Sequence, residues 1–173
     1  VFEQYLGLEP LAADIDQLRF EARQHLNVEI PRATRDDWLD LLLAYFIEPT
    51  LGLQAPVFVY DYPPSQAGMA SLGLDEAGAE IAEAFRLYYR GRIIATGYKA
   101  FTDSKCLQQR CSRDNELRRY KGLPVVPVDG DLLQAFDYGM PACAAAALSL
   151  DDMLMQQLQV EQLSQVISFV RPR

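Results

Sequence analysis

Apolar residues recur three or four positions apart through the first fifty residues, a period typical of amphipathic helices. The pattern predicts a helix that has already begun at the first residues and a second over residues 14–26, behind an aspartate cap. A third, strongly amphipathic helix covers residues 38–46 and stops at Pro49, with a weak capping signal at Thr34. These segments predict a helical layer over residues 1–50.

From position 56 onward the pattern becomes typical of β-strands. The run from Val57 to Tyr62, six β-favouring residues between two prolines, predicts a buried strand. Residues 83–101 alternate apolar and polar side chains around Arg90-Gly91, which predicts a hairpin that turns at this pair. The glycine-containing stretch between the two segments is predicted to be a loop.

The remaining segments mix helices with single strands. The pattern predicts helices over residues 103–121, 129–138 and 151–158, a strand over 143–150, and a short closing helix with a last strand over 161–170. Because helices and antiparallel strands follow each other without βαβ repeats, the sequence predicts an α+β fold. The length of 173 residues fits a single domain, 1–173, with a sizeable core.

Charge and cysteine content narrow the class of protein. The chain has 16 Lys and Arg against 24 Asp and Glu, and a net charge of −8 argues against a general binder of nucleic acid or anionic membranes. No apolar run approaches the ~20 residues that span a bilayer, and no export signal opens the chain. The three cysteines are an odd number, which favours free thiols in a reducing compartment and hence a cytoplasmic protein.

Common catalytic motifs are absent from the sequence. His25 is the only histidine, which excludes histidine triads, HExxH zinc motifs and two-histidine metal sites. Its charged and polar neighbours predict a solvent-facing helix position. Neither GxGxxG nor GxxxxGK[ST] occurs. From these observations we predict no catalytic residue and no metal site.

Four stretches of the chain, taken in order, carry a resemblance to a known family. They are PVFVYDYPPSQAGMA (Pro56 to Ala70), AFRLYYRGRIIATGYKAFTD (Ala84 to Asp103), QQRCSRDNELRRYKGLPVVPVD (Gln108 to Asp129) and YGMPACAAAALSLDDMLM (Tyr138 to Met155). Together they resemble the C-terminal half of class II lysyl-tRNA synthetases. The resemblance is strongest to the short paralogous family, without an anticodon domain, that attaches β-lysine to elongation factor P.

The resemblance implies an antiparallel catalytic sheet flanked by helices, which in this family holds ATP, Mg²⁺ and lysine. Residues 1–50 would be the helical layer, and residues 56–173 would carry the sheet and the third signature motif. The first two motifs, including the arginine that contacts the α-phosphate, would lie upstream of Val1. Because the family dimerises through the first of these, the oligomeric state stays open.

The positions that the family uses for ATP and Mg²⁺ carry other residues in this chain. The resemblance places Ile93, followed by Ile94, where the family has an acidic residue that holds Mg²⁺. It places Ser149 at a motif glycine and Asp152 at the arginine that binds the γ-phosphate end of ATP. At ~5 Å and an effective dielectric constant of ~20, one such charge repulsion is about 3 kcal/mol.

The family's lysine pocket is altered in the same way. Its asparagine corresponds to Thr96, and the glutamate that faces the substrate ammonium corresponds to Ala100. Gly97 and Tyr98, also near the cleft, are retained. A buried ammonium without its carboxylate costs several kcal/mol, so the resemblance implies that lysine specificity is lost.

These substitutions leave three hypotheses open. The first is a degenerate paralogue or fragment that binds no ATP or Mg²⁺ and has no ligase chemistry. The second is part of an active ATP-dependent lysine ligase, for tRNA or for elongation factor P, whose other motifs lie outside this sequence. The third is a changed ligand, with Ala100 and Ala145 enlarging the pocket. Ile93, Ala100 and the Asp151-Asp152 pair are also unremarkable as strand and helix-start residues.

A basic run over residues 105–121 is the remaining candidate for a binding surface. It carries six basic and two acidic residues, a local charge of +4 on an acidic chain. Such a helix would suit a translation-related protein or tRNA. A solvated helix face is the ordinary alternative, and only Tyr120 supplies an aromatic side chain for base stacking.

Overall fold

A computed structural model describes residues 1–169 of the chain. The helices are α1 (Phe2–Leu6), α2 (Ile15–His25), α3 (Arg35–Leu42), α4 (Ser104–Tyr120), α5 (Gly130–Asp137) and α6 (Leu150–Leu158). The strands are β1 (Val57–Tyr62), β2 (Leu72–Leu74), β3 (Glu80–Tyr89), β4 (Arg92–Lys99) and β5 (Ala144–Leu148). This combination of helices with one antiparallel sheet confirms the α+β prediction.

The helical layer begins with two capped helices. Asp14 accepts a hydrogen bond from the Gln17 backbone N–H (2.8 Å), and the Gln17 side chain accepts one from the Asp14 N–H (3.0 Å). Thr34 and Asp37 form the same reciprocal pair at the start of α3. The weak signal at Thr34 is therefore a complete capping box, in which two helix-terminal N–H groups find acceptors.

The third helix departs from its prediction after Leu42. Residues 43–47 form a wider π-helical turn, and a 3-10 turn over Glu48–Thr50 ends the segment at Pro49. After this wider turn Ile47, with 0% exposure, lies in the main core, and the half-buried Phe46 packs against the same core. The prediction of one regular helix through residue 46 is wrong, because helical periodicity alone does not register this local change.

The sheet has the strand order β1-β3-β4-β5, and every pairing is antiparallel. The predicted hairpin joins β3 to β4 through Arg90 and Gly91. β2 was missed and predicted as loop; it pairs with the first residues of β3 and has Gly73 at its centre. A three-residue strand interrupted by glycine shows no alternating pattern.

β1 has the predicted bounds but not the predicted burial. Val59 and Tyr62 are buried, whereas Phe58 and Tyr60 are 55% and 66% exposed. The helical layer covers one face of the sheet only, so alternate side chains of β1 reach solvent on the other face. At Asp61 the strand has a bulge, with φ at +60° and a shift in its register with β3.

The main core lies between the helical layer and the covered face of the sheet. Its fully buried side chains include Leu18, Leu42, Ile47 and Tyr88. A second, smaller cluster forms where α4 meets α5, around Phe101, Leu107 and Phe136. The main core thus joins the helical layer to the sheet, and the smaller cluster joins α4 and α5 to the segment that follows β4.

The last predicted elements are only partly present. Residues 161–169 contain a single 3-10 turn, Leu163–Gln165, in place of the predicted closing helix and last strand. Val170, the end of that prediction, lies outside the described residues. All three cysteines are free thiols, as predicted, and His25 is exposed on α2. Within residues 1–169, no helix is long and apolar enough to cross a membrane.

Gly52 provides a test of the packing between the helical layer and the hairpin. It has φ at +70°, and a Cβ there would lie 2.6 Å from the Tyr88 carbonyl oxygen. Gly7 has a similar φ of +65° but open space around it, so it is a matched control. We expect Gly7→Ala to cost about 1–2 kcal/mol through backbone strain, and Gly52→Ala to cost about 1–3 kcal/mol more through overpacking. Urea denaturation measures the free energy of unfolding of both variants. Equal losses would show that the close contact with Tyr88 adds no cost at Gly52.

Asp37 makes stability depend on pH at the start of α3. Burial acts to raise the pKa of Asp37, but hydrogen bonds from Lys121 and Thr34 outweigh it and hold the pKa below the usual value of 3.8. The folded state therefore binds fewer protons, and the stabilisation is present above pH 3.8 and lost as pH falls through the folded pKa. We expect Asp37→Asn to cost about 1–2 kcal/mol at pH 6.

Measured by urea denaturation, this loss should shrink below pH 3.8. Lys121→Met, alone and combined with Asp37→Asn, completes a double-mutant cycle that isolates the ion pair. A loss that is the same at pH 6 and at pH 3 would show that the carboxylate charge has no part in it.

Candidate functional site

Two neighbouring strands bring the candidate site residues together. Thr96 of β4 pairs with Ala147 of β5, and Tyr98 pairs with Ala145. Beyond the end of β5, the Ser149 backbone N–H donates to the Ile94 carbonyl oxygen (2.9 Å). Two segments about fifty residues apart in sequence therefore lie side by side. We call them the strip, which runs from Ile93 and Ser149 at one end to Ala100 and Cys143 at the other.

The nucleotide positions lie at one end of this strip, Thr96 lies two residues further along β4, and Ala100 lies at the other end. Ile93 and Ile94, with Ser149 beside them, lie at the hairpin end of β4. Ala100 lies just past the other end, where its N–H donates to the Cys143 carbonyl oxygen (2.9 Å). At about 3.3 Å per residue, the ends are on the order of 20 Å apart.

Side chains of β4 alternate between the two faces of the sheet. Thr96 and Tyr98 lie on the face that the helical layer partly covers, and Tyr98 packs against the main core. Gly97 lies on the open face, where the ring of Phe85 covers it so closely that a Cβ would overlap the ring. Phe85 in turn contacts Phe58 edge to face, with centroids 5.3 Å apart. Packing against Phe85 thus gives Gly97 a structural reason to be glycine.

Ser149 and Asp152 interact with each other at the start of α6. Ser149 is the N-cap residue, and its hydroxyl accepts a hydrogen bond from the Asp152 backbone N–H (3.1 Å). The Ser149 hydroxyl also donates to Asp152 Oδ2 (2.5 Å). Both residues therefore act as a helix cap, and the carboxylate lies where the helix dipole favours negative charge.

Asp152 has a cationic partner from the hairpin. Arg92 Nη1 donates to Asp152 Oδ1 at 3.1 Å, and Arg92 Nη2 donates to the Glu161 carbonyl oxygen at 3.1 Å. The Asp152 side chain is 28% exposed and that of Arg92 is 44% exposed. The ion pair fastens the start of α6 to the beginning of β4.

Ala100 lies in a tightly packed part of the sheet. It is 7% exposed and forms an isolated β-bridge with Ala70, which is fully buried. Ala145, by contrast, lines an open cavity of about 460 Å³ that Ala100 does not line. The two alanines therefore do not line a common cavity in the described part of the chain.

Arg86 is a residue of this strip that sequence reasoning missed. It pairs with Thr96 across β3 and β4, so it shares the covered face with the predicted lysine-pocket positions. Its guanidinium lies 4.9 Å from the centroid of the Tyr62 ring. Burial acts to lower the pKa of Arg86, but Tyr62, Tyr88 and Asp40 outweigh it and raise the pKa, so Arg86 is charged. A single arginine within the aromatic strand AFRLYY was the available signal.

The phenol of Tyr88 and the carboxylate of Glu48 form a polar cluster with Arg86 and Tyr62. Tyr88, which is fully buried, donates a hydrogen bond from its hydroxyl to Glu48 Oε1 (2.7 Å). Burial, the neighbouring Tyr62 and the bond to Glu48 all raise the pKa of Tyr88 well above its usual value. The cluster therefore holds a fixed positive charge and a phenol that stays protonated.

The side chains of the strip do not fit Mg²⁺ with ATP. Magnesium in nucleotide sites takes carboxylate, phosphate and water oxygens, whereas position 93 carries an isoleucine. Asp152 would face the phosphates with a like charge, and its nearest cation is Arg92, which it already binds. Within residues 1–169, no group of three or more His, Cys, Asp or Glu residues could hold a metal ion.

Half of the basic residues in the run 105–121 have structural partners. The Arg110 guanidinium lies 4.7 Å from the Phe101 ring centroid, Arg118 donates to a backbone carbonyl oxygen in the following loop (2.7 Å), and Lys121 donates to Asp37 (2.7 Å). The side chains without an ion pair or hydrogen bond in the described part of the chain are Lys105, Arg113 and Arg119. The run is therefore partly a structural connection and partly a solvated face.

Comparison with known proteins identifies the family of the chain. A family model for tRNA synthetases class II (D, K and N) matches residues 16–173. The elongation factor P–(R)-β-lysine ligase of Enterobacter sp. (strain 638) is 40% identical over 176 residues, which cover 100% of this chain and 53% of the ligase. The chain thus spans about half the length of the curated relative that it matches. These matches confirm the resemblance: the chain belongs to the family of class II tRNA synthetases (D, K and N).

Proposed function

We propose that this chain is a class II synthetase-like domain that does not activate lysine with ATP. The observation that carries the proposal is the contact of Asp152 with Ser149 and Arg92. At the position where the family resemblance places a phosphate-binding arginine, the chain has a carboxylate that caps α6 and pairs with β4. The substituted residues stabilise the domain and offer no cation to a nucleotide.

Electrostatics support the loss of nucleotide binding. A phosphate at ~5 Å from the Asp152 carboxylate, at an effective dielectric constant of ~20, would be repelled by about 3 kcal/mol. Loss of the attraction to an arginine removes a similar amount. With Ile93 in place of a carboxylate, the strip also provides no ligand for the Mg²⁺ that would neutralise the phosphates.

Lysine binding lacks its counter-charge as well. Ala100 is buried against Ala70 and carries no charge, and the residue that pairs with Thr96 across β3 and β4 is the cationic Arg86. An ammonium beside Thr96 would meet the like charge of Arg86. We therefore extend the proposal to both halves of the activation reaction.

The remaining role that we propose is binding of a translation-related partner in the cytoplasm. The matched relative is named for elongation factor P, a translation factor. The solvated side chains of Lys105, Arg113 and Arg119 are available on α4 for an acidic protein or tRNA. Binding of this kind requires a folded surface and no catalytic site.

A second candidate function is supported by the extent of the match. The ligase from Enterobacter is about twice as long as the aligned region. The second candidate is therefore that residues outside this sequence complete a catalytic domain of which residues 1–173 are the C-terminal half. In that case the full-length protein would be an ATP-dependent lysine ligase. It would have to bind Mg²⁺-ATP despite Ile93 and Asp152.

Lysine-dependent ATP–pyrophosphate exchange separates the two candidates. We expect the full-length protein to show no exchange above background with lysine or β-lysine, because the strip lacks the required charges. A thermal-shift titration with Mg²⁺-ATP should likewise show no change, whereas a ligand at 100 times its Kd would add about 2.7 kcal/mol. Exchange above background, or a saturable shift at millimolar ATP, would overturn the proposal in favour of the ligase.

The structural role of Asp152 is testable against its neighbour. Asp152→Arg removes the cap contact and places two arginines together, so we expect a loss of about 1–2 kcal/mol. Asp151→Arg makes the same charge change in the same helical turn, at an exposed carboxylate for which we find no side-chain partner within residues 1–169. Urea denaturation compares the two. If Asp151→Arg is as destabilising as Asp152→Arg, the cap and ion pair do not explain the substitution.

A further inference from the structure

A cavity between α2 and the end of α4 shares no residue with the strip. It has a volume of about 470 Å³, and the segment that precedes α3 forms another of its walls. The buried Trp38 and the half-buried Ile30 and Ala33 supply an apolar lining. This volume lies in the range of sites for small organic molecules.

Arginines from two separate segments line the same cavity. Arg19 and Arg23 lie one helical turn apart on α2, and Arg32 comes from the segment that precedes α3. Among the described residues that line the cavity, the one carboxylate is that of Glu29, which leaves a local charge of +2. On a chain with a net charge of −8, this cavity is therefore a place where an anion meets attraction.

The guanidinium of Arg32 is held at the cavity wall by a distant part of the chain. Its Nη1 donates a hydrogen bond to the Tyr120 carbonyl oxygen (2.9 Å), 88 residues further along the sequence. Gly122 leaves room for it, because a Cβ at that position would lie 3.2 Å from Nη1. Arg32 also has φ at +54°, a backbone conformation that costs energy in residues other than glycine. The fold thus fixes this guanidinium in place.

The charges of the three arginines are weakly compensated. No carboxylate within residues 1–169 forms an ion pair with Arg32. Arg19 pairs with Asp16 at 2.6 Å, and the Asp16 side chain is 74% exposed. Arg23 pairs with Glu29 at 3.5 Å, and the Glu29 side chain is 89% exposed. Exposed pairs of this kind contribute about 0–1 kcal/mol, so a ligand carboxylate can replace either partner at little cost.

The chemistry of the walls favours carboxylates on an apolar body. A guanidinium presents parallel N–H donors that match the two oxygens of a carboxylate. The starts of α2 and α3, which could otherwise serve a phosphate, are already capped by the side chains of Asp14 and Thr34. We propose that this cavity binds two carboxylates joined by an apolar body, one at Arg32 and the other on the α2 side.

The same chemistry has two sources, a free dicarboxylic acid and acidic side chains of another polypeptide. Isothermal titration calorimetry on the full-length protein with terephthalate tests the first, and a blocked glutamate–leucine–glutamate tripeptide tests the second. Terephthalamide has the shape of terephthalate without its charge, and inorganic phosphate has charge without the apolar body. We expect saturable binding of at least one dicarboxylate, about ten times tighter than that of either control.

Substitutions locate the binding to the cavity. Arg32→Asn keeps a residue type that tolerates positive φ, and we expect it to weaken dicarboxylate binding about tenfold through loss of a charged donor. Arg23→Gln should weaken it about threefold, and its exposed position makes misfolding of this variant an unsuitable explanation. Arg90→Asn is the matched control, because Arg90 is also exposed, has φ at +49° and lies outside this cavity. It should leave the Kd unchanged.

Several results would overturn the assignment. Terephthalamide or inorganic phosphate binding as tightly as the dicarboxylates would show that charge and apolar body do not act together. An unchanged Kd in both Arg32→Asn and Arg23→Gln, or an equal loss in Arg90→Asn, would place the binding elsewhere. Absence of binding by both terephthalate and the tripeptide would also reject it.

Discussion

The antiparallel pairing of β4 with β3 on one side and β5 on the other is the constraint on which the site depends. Backbone hydrogen bonds along β5 set the register that places Ala147 beside Thr96. The same ladder continues past the strand to Ser149, whose N–H meets Ile94. A shift of one residue would turn every side chain of the strip to the opposite face. The arrangement of the family's chemical positions is therefore fixed by backbone pairing, whatever side chains they carry.

The residues that stand at the family's phosphate-binding positions stabilise the fold of this chain. Ser149 and Asp152 cap α6, and Arg92 ties that cap to the hairpin. The free N–H groups at the start of a helix need acceptors. In many proteins a bound phosphate satisfies them, and in this chain a capping side chain does so. In the function that we propose, the carboxylate that stabilises the helix is also the charge that would repel a nucleotide.

The two faces of the sheet differ in how far they are buried. Helices cover one face and bury Tyr88. Arg86 lies beside Tyr88 on this face, and its aromatic and carboxylate neighbours keep it charged. The open face carries Phe58 and Phe85, which contact each other, and the Phe85 ring leaves no room for a Cβ at position 97. Burial in this domain is therefore decided by which elements reach over the sheet. Alternation along a strand shows that two faces exist but not which of them is covered.

Local patterns were sufficient for most elements, because helix caps and strand alternation involve neighbours in sequence. They predicted α2, α4, the β3–β4 hairpin and the bounds of β1, whereas the residues of the candidate strip came from the family resemblance. They failed where distant segments decide the outcome. β2 forms by pairing with β3, the π-helical turn after Leu42 ends at the buried Ile47, and the partner of Asp152 lies sixty residues away. The sequence alone determined which residues stand at the family's positions, since that is a matter of order along the chain. Only the tertiary structure decided what those residues contact, because hydrogen bonds, ion pairs and burial depend on distances that the fold creates.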